Sequence, residues 1–331
     1  MSWAEVKYII DNCSGGGGLV PNKLTSLAVN LTTLTWKATQ TIIENQIVCD
    51  VSKIVFRYSK DAAPTTVDDG TFLFETTELS GSYTHSLEKG TYISGFVCSD
   101  RGVYSKPVST QTTQNIKFYV DSWDTIKQTS ESGNASMYYE VGDEKIVSIN
   151  GVDYTLVIMD FDHDDLADGS GKAGITIGLK NCLTTTHNMN SSNSNSGGWE
   201  SCAMRSWLQS TVLGWLPEEL QAVIKKVNKK ATAGSASTTI KTSTDNLFLL
   251  AEVEIFGSKT YGSLDEGTQY SYFTTTSRRV KTSGDSGSTA IWWERSPSTS
   301  GSSYFCCVAS SGSAGSYGAG NTCGVSFGFC I

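Results

Sequence analysis

From Ser296 to Ile331 the chain carries no charged side chain and is built almost wholly from Ser, Gly, Ala, Thr, Cys, Tyr, Phe, Val and Asn. It follows directly on Trp292-Trp293-Glu294-Arg295, the densest aromatic and charged cluster in the sequence. In a chain that is 18% charged, a gap this long arises by chance about once in a thousand placements. Solvated tails and linkers are rich in charge or free of aromatics. This one is neither, so its composition demands a reason.

At 331 residues the chain is long enough for two domains, each able to bury its own core. The net charge of -8 and the lack of a basic stripe exclude a phosphate-neutralising surface, so nucleic acid is not an expected partner. The one basic run, Lys225 to Lys230, reads as the last turn of a helix, where cations are favoured. No stretch approaches the ~18 apolar residues of a membrane span, so membrane insertion is not expected, and Met1 to Lys7 lacks the regions of a signal peptide. Nine cysteines, an odd number without C-x-x-C spacing, predict buried thiols rather than a zinc centre or full disulfide framework. A bridge among Cys306, Cys307, Cys323 and Cys330 stays open in an oxidising compartment.

The pattern divides the chain in three. Residues 1–18 hold a capping box, Ser2-Trp3-Ala4-Glu5, an apolar face of Trp3, Val6, Ile9 and Ile10, and a Gly15–Gly18 run: an attachment helix and linker. Residues 19–118 alternate apolar and polar between turn signals, which predicts a β-sandwich, with His85 an exposed strand residue. Leu34-Thr35-Trp36, Lys53 to Tyr58 and Leu87-Glu88-Lys89-Gly90-Thr91-Tyr92 resemble strands and the corner of fibronectin type III and Ig-like domains, though Ile93 holds the place of the corner tyrosine. Residues 119–331 predict an α+β domain. Asn150-Gly151 joins two strands as a type I′ hairpin. Helices are expected over Trp199 to Val212 and from Pro217 to the lysine run, and a strand over Asn246 to Phe256.

Gly197-Gly198-Trp199-Glu200-Ser201, Met204-Arg205-Ser206-Trp207-Leu208, Leu247-Phe248-Leu249-Leu250, Trp292-Trp293-Glu294-Arg295-Ser296-Pro297 and Gly324 to Cys330 together resemble a domain family of unassigned function, common in gut bacteria and their phages, whose members look like C-type lectin folds. The resemblance spans about 120 to 331. Some proteins of that fold are variable proteins of diversity-generating retroelements, whose C-terminal codons are rewritten at adenines. Such rewriting of Asn-type codons never yields Lys, Glu, Gln, Met or Trp, and none of these occurs from Ser296 onward. The resemblance implies a variable region of about 298–323. Ser298, Thr299, Gly301, Ser302, Ser303, Cys307, Ser310, Ser313, Gly315, Ser316, Tyr317, Gly320, Asn321, Thr322 and Cys323 would form a ligand-binding surface. Trp292, Trp293, Glu294, Arg295, Tyr304 and Phe305 would be its scaffold. Tyr, Ser, Gly and Asn suit such a surface, being rigid in contact area or adaptable in hydrogen bonding.

Other chemistry is weakly signalled. Asp160 to Asp165 begins like an EF-hand loop, but Asp165 stands where Gly is needed and Gly171 where Glu is needed. These carboxylates read as strand-end and loop groups with His163 among them, and no metal or cofactor is expected. His187 reads as structural or solvated, Glu294-Arg295 as a buried or half-buried pair at the base of the tail, and no nucleophile motif accompanies the histidines. The resulting expectation is a non-enzymatic adhesin of a phage virion or tail. It would bind a host-cell surface protein or glycan, join virion proteins through the N-terminal helix, and self-associate, for example as a trimer. A bacterial cell-surface adhesin and a catalyst like formylglycine-generating enzymes are the alternatives.

Overall fold

The computed structural model describes residues 20–30, 32–43, 46–113 and 117–331, so the helix and glycine linker expected at 1–18 lie outside the described residues. The chain is β-rich, with many small sheets, and divides into two compact units between 116 and 117. In the first, β1 (Ser26–Asn30), β2 (Thr33–Lys37) and β7 (Ser80–Thr84) form one antiparallel sheet, ordered β1-β2-β7. The strands β5 (Val51–Ser59), β6 (Thr71–Thr76), β8 (Tyr92–Ser99) and β9 (Val108–Gln111) form another, ordered β6-β5-β8-β9; β3 (Thr41–Ile43) pairs with β4 (Gln46–Cys49).

Alternation decides which faces meet. In β2, Leu34 and Trp36 are buried while Thr35 and Lys37 are exposed, and Trp36 sits 5.2 Å from Phe56 and 5.4 Å from Phe74 between ring centroids. Leu24, Ile54, Ile93 and Val97 complete this core. A Cβ on Gly95 would stand 2.5 Å from Leu24 and 2.9 Å from Phe56, so the strand approaches the core closely only because it has no side chain there. His85 is not exposed as expected. It follows the end of β7 and turns inward, its Nδ1 accepting from the Leu87 amide at 3.2 Å.

The second unit is organised on β10 (Glu144–Ile149), β11 (Val152–Phe161), β12 (Ile175–Leu179), β16 (Phe248–Leu249) and β23 (Phe327–Cys330), in the order β10-β11-β12-β23-β16. The hairpin turn has Asn150 at φ 50° and Gly151 at φ 77°, the left-handed pair of a type I′ turn. The end of the neutral tail is thus an interior strand, paired on both sides. Around this sheet lie β13 (His187–Asn188) with β22 (Thr322–Cys323), β14 (Val227–Thr232) with β15 (Ile240–Asp245), β17 (Lys281–Thr282) with β18 (Thr289–Ala290), and β19 (Trp292–Pro297), β20 (Tyr304–Val308) and β21 (Ala314–Gly318). A helix, Trp123–Glu131, capped by Ser122, buries Trp123 and Ile126, and its Ser130 hydroxyl donates to the Ile331 carbonyl.

Three expected elements differ. The helix over Trp199 to Val212 is interrupted at Cys202, whose ψ of 150° divides Gly198–Ser201 from Ala203–Trp207 before a π turn at Leu208–Val212. The helix from Pro217 ends at Gln221, and the lysine run enters β14, where Val227, Lys229 and Ala231 are buried by two-residue alternation against β15. The strand over Asn246 to Phe256 keeps only Phe248–Leu249; Glu252–Phe256 is helical because Glu254 accepts from the Ala251 amide at 2.9 Å and Gly257 closes the turn at φ 66°. The cysteines at 98, 182, 202, 306, 307, 323 and 330 are free thiols, so the tail bridge left open by sequence is not formed.

Phe56 stacks on Phe74 at 4.5 Å with no exposed surface. Phe56→Ala in the full chain is expected to cost about 3–5 kcal/mol of first-unit stability, read by chemical denaturation.

Candidate functional site

The neutral tail rests on a buried ionic network. In β19, Trp293 pairs with Cys307 and Pro297 with Phe305, so Glu294, Arg295 and Ser296 bulge opposite Cys306 alone. Bulges re-aim side chains, and here Arg295 turns wholly inside. Its five N–H groups are all used. Nη1 and Nη2 reach the two Glu254 oxygens at 2.5 and 2.7 Å, and the others donate to the carbonyls of Lys230 (2.9 Å), Leu249 (3.0 Å) and Glu266 (2.8 Å).

Glu254 also accepts from Lys229 Nζ at 2.8 Å, and that ammonium donates to Asp164 (2.6 Å) and to the Tyr270 hydroxyl (2.9 Å). Asp164 further accepts from Thr176 and Tyr270. Two cations therefore meet two carboxylates with every lysine donor satisfied. Burial pushes both carboxyls up, but Lys229 and His163 together outweigh it at Asp164, and Arg295 with Lys229 at Glu254, so both are held below their ordinary values. Asp164 is thus a buried network member, not the loop-solvating group expected, and Lys229 is not a helix-terminal cation. Nor do Glu294 and Arg295 pair with each other: the guanidinium is fully engaged elsewhere.

Above this base, β20, β21 and the 298–303 turn build a surface. Asn195, fully buried, positions the turn through Nδ2, which donates to the carbonyls of Gly301 (2.9 Å) and Tyr304 (2.8 Å) and lies 3.4 Å from that of Ser298. Its Oδ1 accepts from the Ser235 amide at 2.7 Å. Trp293 Nε1 donates to the His187 carbonyl at 2.8 Å, and its ring lies 6.3 Å from that of Tyr317. His187 itself stacks on Trp207 at 4.3 Å, and the Asn193 side chain accepts from the Gly320 amide at 2.9 Å. Sequence reasoning missed Asn195 and Asn193, which stand in a Ser/Asn run like any polar loop.

Of the positions assigned to the surface, Ser302, Ser310, Ser313, Tyr317, Asn321 and Thr322 are exposed. Thr299, Gly301, Ser303, Gly315, Ser316 and Gly320 are half-buried. Ser298, Cys307 and Cys323 are buried and do not belong to it: Ser298 turns its hydroxyl to Ser300, and the two thiols sit on the inner side of their strands. Among the scaffold positions, Trp292, Trp293, Glu294, Arg295 and Phe305 are buried, whereas Tyr304 is 47% exposed.

A polar cavity of ≈ 250 Å³ opens beside the network, lined by His163, Asp165, Lys172, Asp265, Glu266 and Thr268 among others. His163 lies 3.0 Å from the Thr268 hydroxyl and 3.6 Å from Asp164, an outline of a nucleophile, base and acid. Its Nε2 also lies 3.1 Å from the Thr268 carbonyl, which only accepts, an arrangement that favours a protonated Nε2 over one serving as a base toward the hydroxyl. The thiols are equally unsuited: burial pushes Cys306 and Cys330 well above the usual range and Cys182, Cys202 and Cys323 up to about 12, away from the reactive thiolate. Glu266 is pushed up to about 7 by burial, with its carboxyl held by the Ser296 hydroxyl and the Thr232 amide.

Residues 174–331 match the family model of a domain of unknown function (DUF6273), a span that holds the bulge, most of the network and the whole tail. No curated protein and no solved structure matches the chain significantly.

Arg295→Met is expected to cost about 3–5 kcal/mol, because it removes one of the two cations that hold the buried Glu254 carboxylate and leaves three carbonyls without their donor; urea denaturation reads this directly. Carboxyls with depressed folded values stabilise above the unfolded carboxylate range and lose that contribution as pH falls through the folded values. Unfolding free energy measured from neutral to acid pH is therefore expected to drop below about pH 4, and a flat profile there contradicts the network's charge state.

Proposed function

We propose that the second unit is a C-type-lectin-like ligand-binding module whose tail is a retroelement-diversified surface, and that the first is a fibronectin type III or Ig-like spacer. The observation that carries this reading is the division of labour along the tail. Phe305, Val308, Ala319, Val325, Phe327 and Phe329 are buried completely, while Ser302, Tyr304, Ser310, Ser313, Tyr317 and Asn321 face solvent from the same strands and turns. A Ser/Gly linker has no such frame. A frame with neutral, replaceable outward positions suits a surface whose side chains change while its backbone does not.

The two antiparallel sheets closing on Trp36 support the spacer reading of the first unit. The buried, protonated thiols and the proton on His163 Nε2 favour binding over catalysis. The setting is a phage virion or tail-associated adhesin that meets a host-cell protein or glycan, and self-association, for example as a trimer, raises the avidity of weak single contacts. A bacterial cell-surface adhesin uses the same surface in the same way.

Tyr304 and Tyr317 are the large exposed groups of the surface. Tyr304→Ala and Tyr317→Ala are each expected to weaken binding to intact host cells by about 5–30-fold, as truncation of aromatic hot spots does. Unchanged binding by the folded double variant moves the site elsewhere. Diversification has its own test: an imperfect repeat of the DNA encoding about 298–323, differing at adenines and near a reverse transcriptase gene. Without that repeat the diversification falls and the binding reading stands alone.

A further inference from the structure

Glu294 stands apart from the network beside it. It has no exposed surface, and neither carboxylate oxygen has a hydrogen-bond partner. An ionised carboxylate held this way costs several kcal/mol, and Arg295, its chain neighbour, has no N–H left to offer. Two other metal-binding groups face the same space. The Glu252 carboxylate and the Cys306 thiol are both buried, and one ligating atom from each lies within 4.8 Å of the others and of Glu294. In a four-coordinate site, atoms bound to one ion at roughly 2.0–2.3 Å stand about 3.3–3.8 Å apart, so the three groups draw in around the ion as it binds.

The three groups come from three firmly placed segments. Glu252 opens the helix Glu252–Phe256 and is held by the amides of Thr260 (3.0 Å), Tyr261 (3.0 Å) and Gly262 (2.6 Å). Glu294 is aimed by the β19 bulge, and Cys306 is the single β20 residue opposite that bulge. Ser296 Oγ, between them, accepts from the Glu252 amide at 3.0 Å.

We propose that Glu252, Glu294 and Cys306 form a buried site for a divalent transition-metal ion of the zinc class, tying the base of the tail to the helix behind it. The donor set selects the ion: calcium and magnesium take oxygen ligands, whereas a thiolate with two carboxylates suits zinc. Coordination replaces the Cys306 thiol proton with the ion, and one position remains for a water molecule. The site lies beneath the proposed binding surface and does not depend on it. The spacing of the cysteines hid it, because two of the three ligands are glutamates far from Cys306 in sequence.

The full chain, stripped with a chelator and dialysed against zinc chloride, is expected to retain one zinc per chain by elemental analysis and to unfold at a higher temperature than the stripped protein. Cobalt in place of zinc is expected to give thiolate-to-cobalt charge-transfer absorption. Glu294→Gln keeps the side chain's shape and cannot ionise, so it folds without metal, and its zinc affinity is expected to fall by at least about 10–100-fold, the loss known for weakening even a supporting partner of a ligand. Cys306→Ser is expected to lose the cobalt band, and Asp162→Asn, on the acidic loop, to keep both signals. A folded parent with neither a zinc-dependent shift nor a cobalt band overturns the site whatever the variants do. So does undiminished zinc binding in folded Glu294→Gln.

Discussion

Arg295 is the point at which the second unit is tied together. Its five N–H groups reach β14 through Lys230, β16 through Leu249, the helix Glu252–Phe256 through Glu254 and the following loop through Glu266. Each of these elements is short, and short or two-stranded pieces have little stability alone. A guanidinium has one planar set of donor directions, so it is satisfied in one arrangement of those four segments and no other. Replacing the whole network by apolar side chains need not cost stability, since desolvation takes back much of what pairing gives. What the charges supply is one register for a domain whose pieces do not fix it themselves.

The neutral tail depends on that register. It leaves the bulge beside Arg295, forms β20 and β21, and ends as an interior strand of the central sheet with its last carbonyl bound by Ser130. A segment so pinned at both ends can hold its backbone whatever its outward side chains are. Asn195 performs the same task in the turn between β19 and β20, where no strand pairing is available. The absence of charge then has a physical consequence: outward positions carry no fixed field, so the proposed surface would meet a ligand through shape and hydrogen bonds.

Part of this was legible in the sequence. Asn150-Gly151 announced its hairpin, and the alternation between turn signals over residues 19–118 announced paired strands, because both signals are local and both are enforced by the backbone itself. The lysine run misled because Pro217, Glu218 and Glu219 do start a helix, and a lysine at an inward strand position is admissible only with partners that no local window contains. Lys229 finds Asp164 65 residues before it and Glu254 25 residues after it. Ser298 and Tyr304 exchanged the roles given to them for a related reason: small polar and large aromatic side chains predict exposure and burial only on average, and the turn held by Asn195 decides which way each points.

The central claim is that the tail alternates between a fixed frame and replaceable outward positions. Saturation mutagenesis of residues 296–331 in the full chain, read by protease resistance of the folded protein, tests it most directly. Ser302, Ser310, Ser313, Tyr317, Asn321 and Thr322 are expected to accept nearly all side chains, lysine and glutamate included, whereas Ser298, Phe305, Cys307, Val308, Cys323 and Phe327 are expected to reject them. Uniform tolerance along the tail, or intolerance at the exposed positions equal to that at the buried ones, contradicts the account.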